Sequence, residues 1–224
     1  MKGLRLAFIS FLGAGALLGP AMPGAWAQQA KNSGAKPAAK PAAAAPAAPS
    51  YAQRYAQVCA ACHGANGRSD MQGVPALAGQ PSFYAITQLF LFREGRRANE
   101  AMTAVAKSMT DDDMRGFSDF IGTLAPVPAP PPAAARHALR IGRGKQLATE
   151  HKCVFCHGDD FSGGQQVPRI AQQQEDYLAA TLHEFKSGKR PGYSMAMSEA
   201  LRPVPAADLD TLAYYLARFT SPAK

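Results

Sequence analysis

The sequence predicts an all-α protein made of two copies of one unit joined by a proline-rich linker. Helix-spaced apolar positions recur in both halves, and no stretch alternates apolar and polar residues for long enough to suggest a sheet. The segment that begins at Pro75 aligns without a gap with the segment that begins at Pro168, at an offset of 93 residues. Residues 126–132 read P-V-P-A-P-P-P, which favours an extended polyproline spacer. The unbroken self-alignment indicates an internal duplication.

The first 50 residues are predicted to lie outside the repeated unit. Residues 1–27 have a positive start, an apolar stretch and an A-W-A cleavage site, the pattern of an export signal. The apolar stretch contains glycine and proline and is shorter than the about 20 residues that a membrane span needs. Residues 28–50 are mostly Ala, Pro, Lys, Gln and Ser, which is typical of a flexible tail. We therefore expect a cleaved signal peptide and a periplasmic protein, with a retained signal anchor as the alternative.

The two copies are expected to span residues 51–125 and 133–224. In each copy an amphipathic helix follows the aligned proline and stops at a glycine, Gly95 or Gly188. A last helix begins at T-D-D-D, residues 110–113, where a capping residue and three acids suit the positive end of a helix. The apolar positions of this helix recur at the same intervals in both copies: Met114, Phe117, Phe120, Ile121 and Leu124, and Leu209, Leu212, Tyr215, Leu216 and Phe219.

The net charge of +8 does not indicate nucleic-acid binding, because the charge is unevenly placed. Residues 51–125 hold seven basic and seven acidic side chains, and residues 133–224 hold twelve basic and nine acidic ones. Much of the excess therefore lies in the signal and the tail. The difference between the copies suggests that the two ends meet different partner proteins, with Lys189 and Arg190 as candidate docking charges.

Each copy carries one C-x-x-C-H motif, C-A-A-C-H at 59–63 and C-V-F-C-H at 153–157, and the two motifs use all four cysteines. This is the attachment pattern of c-type haem, in which both thiols form thioethers and the histidine binds the iron. Disulfides or a zinc site are the alternatives. Disulfides do not explain the histidine after each pair, and zinc ribbons separate their pairs by about 15–20 residues, whereas these pairs lie 94 residues apart. The sequence thus predicts two covalent haem groups attached through Cys59, Cys62, Cys153 and Cys156, with His63 and His157 as iron ligands.

The second iron ligand must be a methionine or a histidine from downstream, unless that position is open for a substrate. In the first copy we expect Met102, in a loop before the last helix. In the second copy Met195 and Met197 compete. Met102 precedes the last apolar stripe by 12 residues and so does Met197, whereas a count forward from the helix-ending glycine favours Met195. Thioether ligation favours reduced iron and fills the site, so this pattern predicts electron transfer rather than catalysis.

Two prolines follow the motif histidines at similar distances. Pro75 comes 12 residues after His63, and Pro168 comes 11 residues after His157. A carbonyl at this point could accept the Nδ1–H of the histidine and fix its orientation. The alternative is a simple turn before the next helix.

On these residues the chain resembles the dihaem cytochromes c of the cytochrome c4 type. The matching features are C-A-A-C-H-G at 59–64, P-A-L-A-G-Q at 75–80, F-R-E-G-R-R at 92–97 and a methionine before the T-D-D-D helix start. The second copy departs from the pattern at Gln172 and at the P-V-P of residues 203–205. The resemblance implies two class I cytochrome c folds about a pseudo-twofold axis, with the haem propionates facing one another and with Met102 and Met197 as sixth ligands.

The resemblance also implies a function and a set of partners. It indicates a monomeric periplasmic carrier that passes single electrons between respiratory donors and a terminal oxidase or reductase, with at most peripheral membrane association. A second hypothesis is a dihaem subunit that accepts electrons from a flavoprotein or quinoprotein dehydrogenase. A third, a peroxidase-like or thiosulfate-oxidising enzyme, requires an open, histidine or cysteine sixth site, and the sequence has no spare cysteine.

Overall fold

The computed structural model describes residues 48–128, 135–190 and 195–220. The expected signal peptide, the tail up to residue 47 and the linker residues from 129 onward lie outside these ranges. Within them the secondary structure is helical, and the only β-type pairing is an isolated bridge between Gly164 and Val167. The all-α prediction is confirmed. None of the helices in the described ranges has both the length and the hydropathy that crossing a membrane requires.

The two halves contain corresponding helices in the same order. The first half contains α1 (Tyr51–Val58), α2 (Ala60–His63), α3 (Ser82–Arg93), α4 (Glu100–Lys107) and α5 (Asp111–Thr123). The second half contains α6 (Ala135–Glu150), α7 (Val154–His157), α8 (Glu175–Ser187), α9 (Ala196–Leu201) and α10 (Leu209–Ala217), with a 3₁₀ turn over Ala206–Asp208. The repeated order is the one that an internal duplication predicts.

Local capping signals fix where two of these helices start. The Thr110 hydroxyl accepts from the Asp113 N–H at 3.1 Å, and the Asp113 carboxylate accepts from the Thr110 N–H at 3.1 Å, as predicted for α5. The Asn99 side chain accepts from the Met102 N–H at 2.9 Å and starts α4. The predicted loop around Met102 is therefore wrong, because an N-cap and the acidic residue after it start a helix there.

Each half has its own hydrophobic core. In the first half α5 packs against α1 and α3, and the core cluster consists of the buried side chains of Tyr55, Ala85, Leu89, Met109, Met114, Phe117 and Ile121. In the second half α10 packs against α6 and α8, and the larger ones are Leu147, Phe161, Leu178, Leu182, Leu201, Val204, Leu209, Leu212, Tyr215 and Leu216. The predicted stripes of the last helices thus face the two cores, with Phe120, Leu124 and Phe219 partly buried at their edges.

In each half a glycine lies where the first helix crosses the last helix. The glycine is on the last helix in the first half and on the first helix in the second half. In the first half Gly116 of α5 lies against the Tyr51 ring of α1, and a β-carbon there would come within 2.0 Å of that ring. In the second half Gly144 of α6 lies against Tyr215 of α10, and a β-carbon would come within 2.3 Å of the Tyr215 β-carbon. The glycines are needed for close approach. The large residue stands on the first helix in one half and on the last helix in the other.

The second half keeps the loop backbone of the first half without its glycines. Gly79 has a φ of 72°, and Gln172, 93 positions later, has a φ of 61°. Gly67 has a φ of 78°, and Phe161, in the same position after its motif, has a φ of 53°. A side chain in this left-handed region costs roughly 1–2 kcal/mol. The second half therefore keeps the left-handed backbone conformation at these two positions, although its residues there disfavour that conformation.

Candidate haem sites

The attachment motifs form the short helices α2 and α7, and all four cysteines are unpaired thiols. Cys59 and Cys153 are partly buried, while Cys62 and Cys156 are exposed. Since residues three apart share one side of a helical turn, both thiols of a pair face the same way. Burial raises the pKa of the Cys59 thiol to about 11, so this group is neutral. After the first motif Gly64 has a φ of 77°, which lets the chain leave the helix sharply.

The motif histidines end these short helices, and their rings are 6% and 7% exposed for His63 and His157. Nδ1 of His63 lies 2.9 Å from the Pro75 carbonyl oxygen, and Nδ1 of His157 lies 3.0 Å from that of Pro168. A carbonyl only accepts, so Nδ1 carries the hydrogen and Nε2 is left to bind a metal. Burial lowers the pKa of both histidines, although the proline carbonyls oppose this, and the rings stay neutral. The prediction that proline carbonyls orient both histidines is confirmed.

The candidate methionines differ in their surroundings. Met102, on α4, is partly buried against the first core, and Met197, on α9, is partly buried against the second. Met195 precedes α9 and is 73% exposed. Met109 is buried in the first core. Met102 and Met197 therefore share an environment that Met195 lacks, which supports Met197 as the ligand of the second half.

The donor set of each half fits a c-type haem. It consists of two thiols, a neutral imidazole with Nε2 unprotonated, and a partly buried thioether sulfur downstream. Among the residues that the structure describes, no three His, Cys, Asp or Glu side chains converge as a metal site would require. No two of the four cysteines are bonded to each other. The structure therefore gives no support to the zinc and disulfide alternatives.

The two halves meet through a reciprocal pair of glutamines. The Gln173 side chain accepts from the Ala76 N–H at 2.7 Å and donates to the Ala76 carbonyl at 2.8 Å. The Gln80 side chain accepts from the Arg169 N–H at 3.1 Å and donates to the Arg169 carbonyl at 2.8 Å. Both glutamines are 6% exposed. Gln80 and Gln173 are 93 residues apart, as are Ala76 and Arg169, so the contacts follow the symmetry of the repeat.

Two arginines and a tyrosine form a second contact between the halves. Arg97 and Arg190 each donate to the Tyr177 hydroxyl, at 2.8 and 3.1 Å. Arg97 also donates to Gln88 at 2.8 Å, and Arg190 also donates to Glu184 at 3.2 Å. Burial alone would raise the pKa of Tyr177, but the two guanidinium groups outweigh it and lower the pKa to about 8.

This cluster changes the interpretation of the charges near the end of α8. The side chain of Arg190 is 12% exposed, and its guanidinium donates to Thr181, Glu184 and Tyr177. The prediction of Arg190 as a docking charge is therefore wrong, because internal acceptors hold its guanidinium. Lys189 is exposed. The sequence analysis missed the cluster, and its signal was the repeat itself, which aligns Arg97 with Arg190.

Known proteins match the chain over both halves. The profile of a family described as Cytochrome c matches residues 50–125 and 141–219, which include both attachment motifs. The thiosulfate dehydrogenase electron acceptor of Thiomonas intermedia is 33% identical over 175 residues, 74% of this chain and 81% of that protein. Cytochrome c4 of Thiocapsa roseopersicina is 35% identical over 138 residues, 59% of this chain and 71% of that protein.

A solved structure shares the arrangement as well as the sequence pattern. The cytochrome c4 structure from Acidithiobacillus ferrooxidans is similar to this chain with a TM-score of 0.63 and 26% identity. The match covers 73% of this chain and 99% of that one. Since nearly the whole of that protein is matched, the similarity includes both halves and not a single unit.

Proposed function

This chain belongs to the cytochrome c family as a dihaem protein of the cytochrome c4 type, and on that premise we propose that it carries single electrons in the periplasm between a respiratory donor and a terminal oxidase or reductase. It is an electron carrier built from two tandem class I cytochrome c domains, and it binds two haem c groups covalently. When bound, each haem supplies a one-electron couple, and the chain's own residues attach it and set its environment.

The proposed attachment and ligand residues are those in which the two halves agree. Each half presents two thiols, a buried histidine held by a proline carbonyl, and a methionine packed against the core. We assign attachment to the four cysteines and iron ligation to His63 with Met102 and to His157 with Met197. The equivalent burial of Met102 and Met197 carries this assignment. We also propose domains at 51–125 and 133–224, a linker at 126–132, a tail at 28–50 and cleavage of the signal after residue 27.

A ligand on both sides of each iron leaves no position for a substrate, and we therefore propose that the protein is not an enzyme. The reduced protein should bind neither carbon monoxide nor cyanide without denaturant. Binding of either ligand by the native protein would contradict the assignment and favour a peroxidase-like role. We further propose that it acts as a monomer, at most peripherally associated with a membrane.

One comparison favours a second candidate donor. The relative from Thiomonas intermedia is named as the electron acceptor of a thiosulfate dehydrogenase, and 81% of it is matched by this chain. We propose as the alternative function that this protein accepts electrons from a dehydrogenase subunit. Stopped-flow reduction by a purified thiosulfate dehydrogenase and by a membrane cytochrome complex would rank the two donors directly.

The ligand assignment has a direct spectroscopic test. The oxidised protein should show the near-infrared band of sulfur-ligated haem iron for both haems. Met102→His and Met197→His should each remove half of its intensity, whereas Met195→Leu, the matched control, should leave it intact. If Met195→Leu removes half of the band and Met197→His removes none of it, Met195 is the ligand of the second haem and Met197 is not. Haem that extracts into acidified organic solvent would contradict covalent attachment.

A further inference from the structure

The reciprocal glutamines bind at a particular point of the opposite half. Gln173 bonds to Ala76, which directly follows Pro75, and the Pro75 carbonyl accepts from His63. The N–H of Ala76 and the C=O of Pro75 belong to one peptide group. That peptide group therefore accepts from His63 on one side and donates to Gln173 on the other.

The same chain of hydrogen bonds occurs in the other direction. Gln80 accepts from the N–H of Arg169, the carbonyl of the same peptide group is that of Pro168, and this carbonyl accepts from His157. Each of these two series of hydrogen bonds links a glutamine of one half to a motif histidine of the other half. The orientation of each glutamine amide is fixed, because one of its backbone partners is a donor and the other an acceptor.

We propose that Gln173 and Gln80 are positioning residues that tune the iron ligand of the opposite half through these peptide groups. Gln173 acts on His63, and Gln80 acts on His157. This inference rests on the proposed function, since it takes both histidines as haem ligands. It assigns a role to the domain interface that the histidine and its proline carbonyl alone do not reveal.

The direction of the effect follows from polarisation along the hydrogen bonds. An acceptor on the N–H side of a peptide group makes its carbonyl oxygen more negative, because hydrogen bonds in a chain strengthen one another. The carbonyl then draws the Nδ1 hydrogen more strongly and makes the imidazole a more electron-rich ligand. Such a ligand stabilises oxidised iron and lowers the reduction potential. Removing a glutamine should therefore raise the potential of the haem in the opposite half.

The distances predict that the hydrogen bonds from Gln173 to His63 are stronger than those from Gln80 to His157. Gln173 lies 2.7 Å from its peptide nitrogen and His63 lies 2.9 Å from the shared carbonyl. The corresponding distances for Gln80 and His157 are 3.1 and 3.0 Å. The hydrogen bonds that lead to His63 are the shorter ones, so replacing Gln173 should shift the reduction potential of a haem more than replacing Gln80 does.

The test measures the potential of each haem separately in the full-length holoprotein. Redox titrations followed by NMR of the ligand-methionine methyl signals distinguish the two haems. Gln173→Leu should increase the reduction equilibrium constant of the first-half haem by roughly twofold to tenfold, about 20–60 mV at 59 mV per decade, and leave the second unchanged. Gln80→Leu should do the reverse, with a smaller shift. The Nδ1–H signal of the affected histidine should move in the same variant.

Two further variants separate tuning from loosening of the interface. Gln173→Glu keeps an acceptor for the Ala76 N–H in either protonation state, so the first-half potential should stay at or below the wild-type value. Asp176→Asn weakens a different contact between the halves, the 2.6 Å bond from the Gly73 N–H, and removes one negative charge, so any shift that it causes should raise both potentials and not only that of one half.

The decisive observation is whether each glutamine variant shifts the potential of the haem in the opposite half and not that of its own half. The inference is overturned if Gln173→Leu shifts neither haem, shifts its own half, or shifts both halves equally, while the spectra show two haems in place. Should the Leu variants fold poorly, a first-half potential above the wild-type value in Gln173→Glu would overturn it equally well. If the wild-type protein lacks two covalent haems, the proposed function fails instead, which is a distinguishable result.

Discussion

Replacing Tyr177 with phenylalanine should change how stability depends on pH. The Tyr177 hydroxyl receives hydrogen bonds from Arg97 and Arg190, and their charges lower its pKa from 10.0 to about 8 against the opposing effect of burial. Because the folded state loses this proton about two pH units before the unfolded chain does, stability should rise from pH 8 and level off above pH 10. Below pH 8 this contribution is absent.

The magnitude follows from the shift and from the surroundings of the ring. Two pKa units at 1.36 kcal/mol each give an upper bound of about 3 kcal/mol. Tyr177 is only half-buried, so solvent screens part of this, and we expect about 1–3 kcal/mol. At pH 7 the phenylalanine variant also loses the two bonds from charged donors, roughly 1.5–3 kcal/mol each before compensation by Gln88 and Glu184.

Urea unfolding of both proteins at pH 7, 8, 9 and 10 would measure these differences. The free energy of unfolding of Tyr177→Phe should lie below that of the wild type at pH 7, and the gap should widen up to pH 10. A gap that stays constant over this range would refute the reasoning, since it would mean that Tyr177 does not titrate differently in the folded state. A gap of zero would refute the hydrogen bonds as well.

Two other perturbations follow from the packing and capping of single residues. On α6, Gly142→Ala should stabilise the protein by about 0.5–1 kcal/mol, since nothing lies within 4 Å of a β-carbon there. Gly144→Ala should instead destabilise the protein, because the new methyl group would displace Tyr215. Thermal unfolding of both variants separates the two effects, and equal changes in melting temperature would contradict the packing. Asp113→Asn should lower stability at pH 6 and lower it less at pH 3. The hydrogen bond from Arg54 and the contacts to the cap hold the Asp113 pKa at about 2, below its usual 3.8, so the stabilising effect of the carboxylate is lost progressively between these two values. An equal loss at both pH values in urea titrations would count against it.

The sequence was sufficient for those features that depend on local chemistry. The Thr110 cap, the glycine-ended helices and the apolar stripes need only neighbouring residues, and all of them occur in the structure. The link from each motif histidine to a proline carbonyl was also predictable, because the duplicated spacing from His63 and His157 pointed to one turn. The helix that begins at Glu100 was missed, since its eight residues give too short a pattern for periodicity to register.

Contacts between the halves could not be predicted in the same way. Gln80 and Gln173 bind backbone groups that are 89 and 97 residues away in the chain, and a backbone acceptor leaves no mark in the sequence. The burial of Arg190 depends on Tyr177 and on the position of the other half, so it read as a surface charge. Gln172 shows the opposite case, in which the backbone keeps a conformation that its residue does not favour.

The opposite placement of glycine and tyrosine at the two helix crossings has a consequence for how the chain assembles. Duplicated domains risk exchanging equivalent segments during folding. Since Leu209 of α10 corresponds to Met114 of α5, Thr211 stands where α5 has Gly116, and in a wrong pairing of α1 with α10 its β-carbon would collide with the Tyr51 ring. The native pairing of α1 with α5 avoids this collision, so the divergence of the repeats disfavours exchange of the first helix between the two halves of a nascent chain.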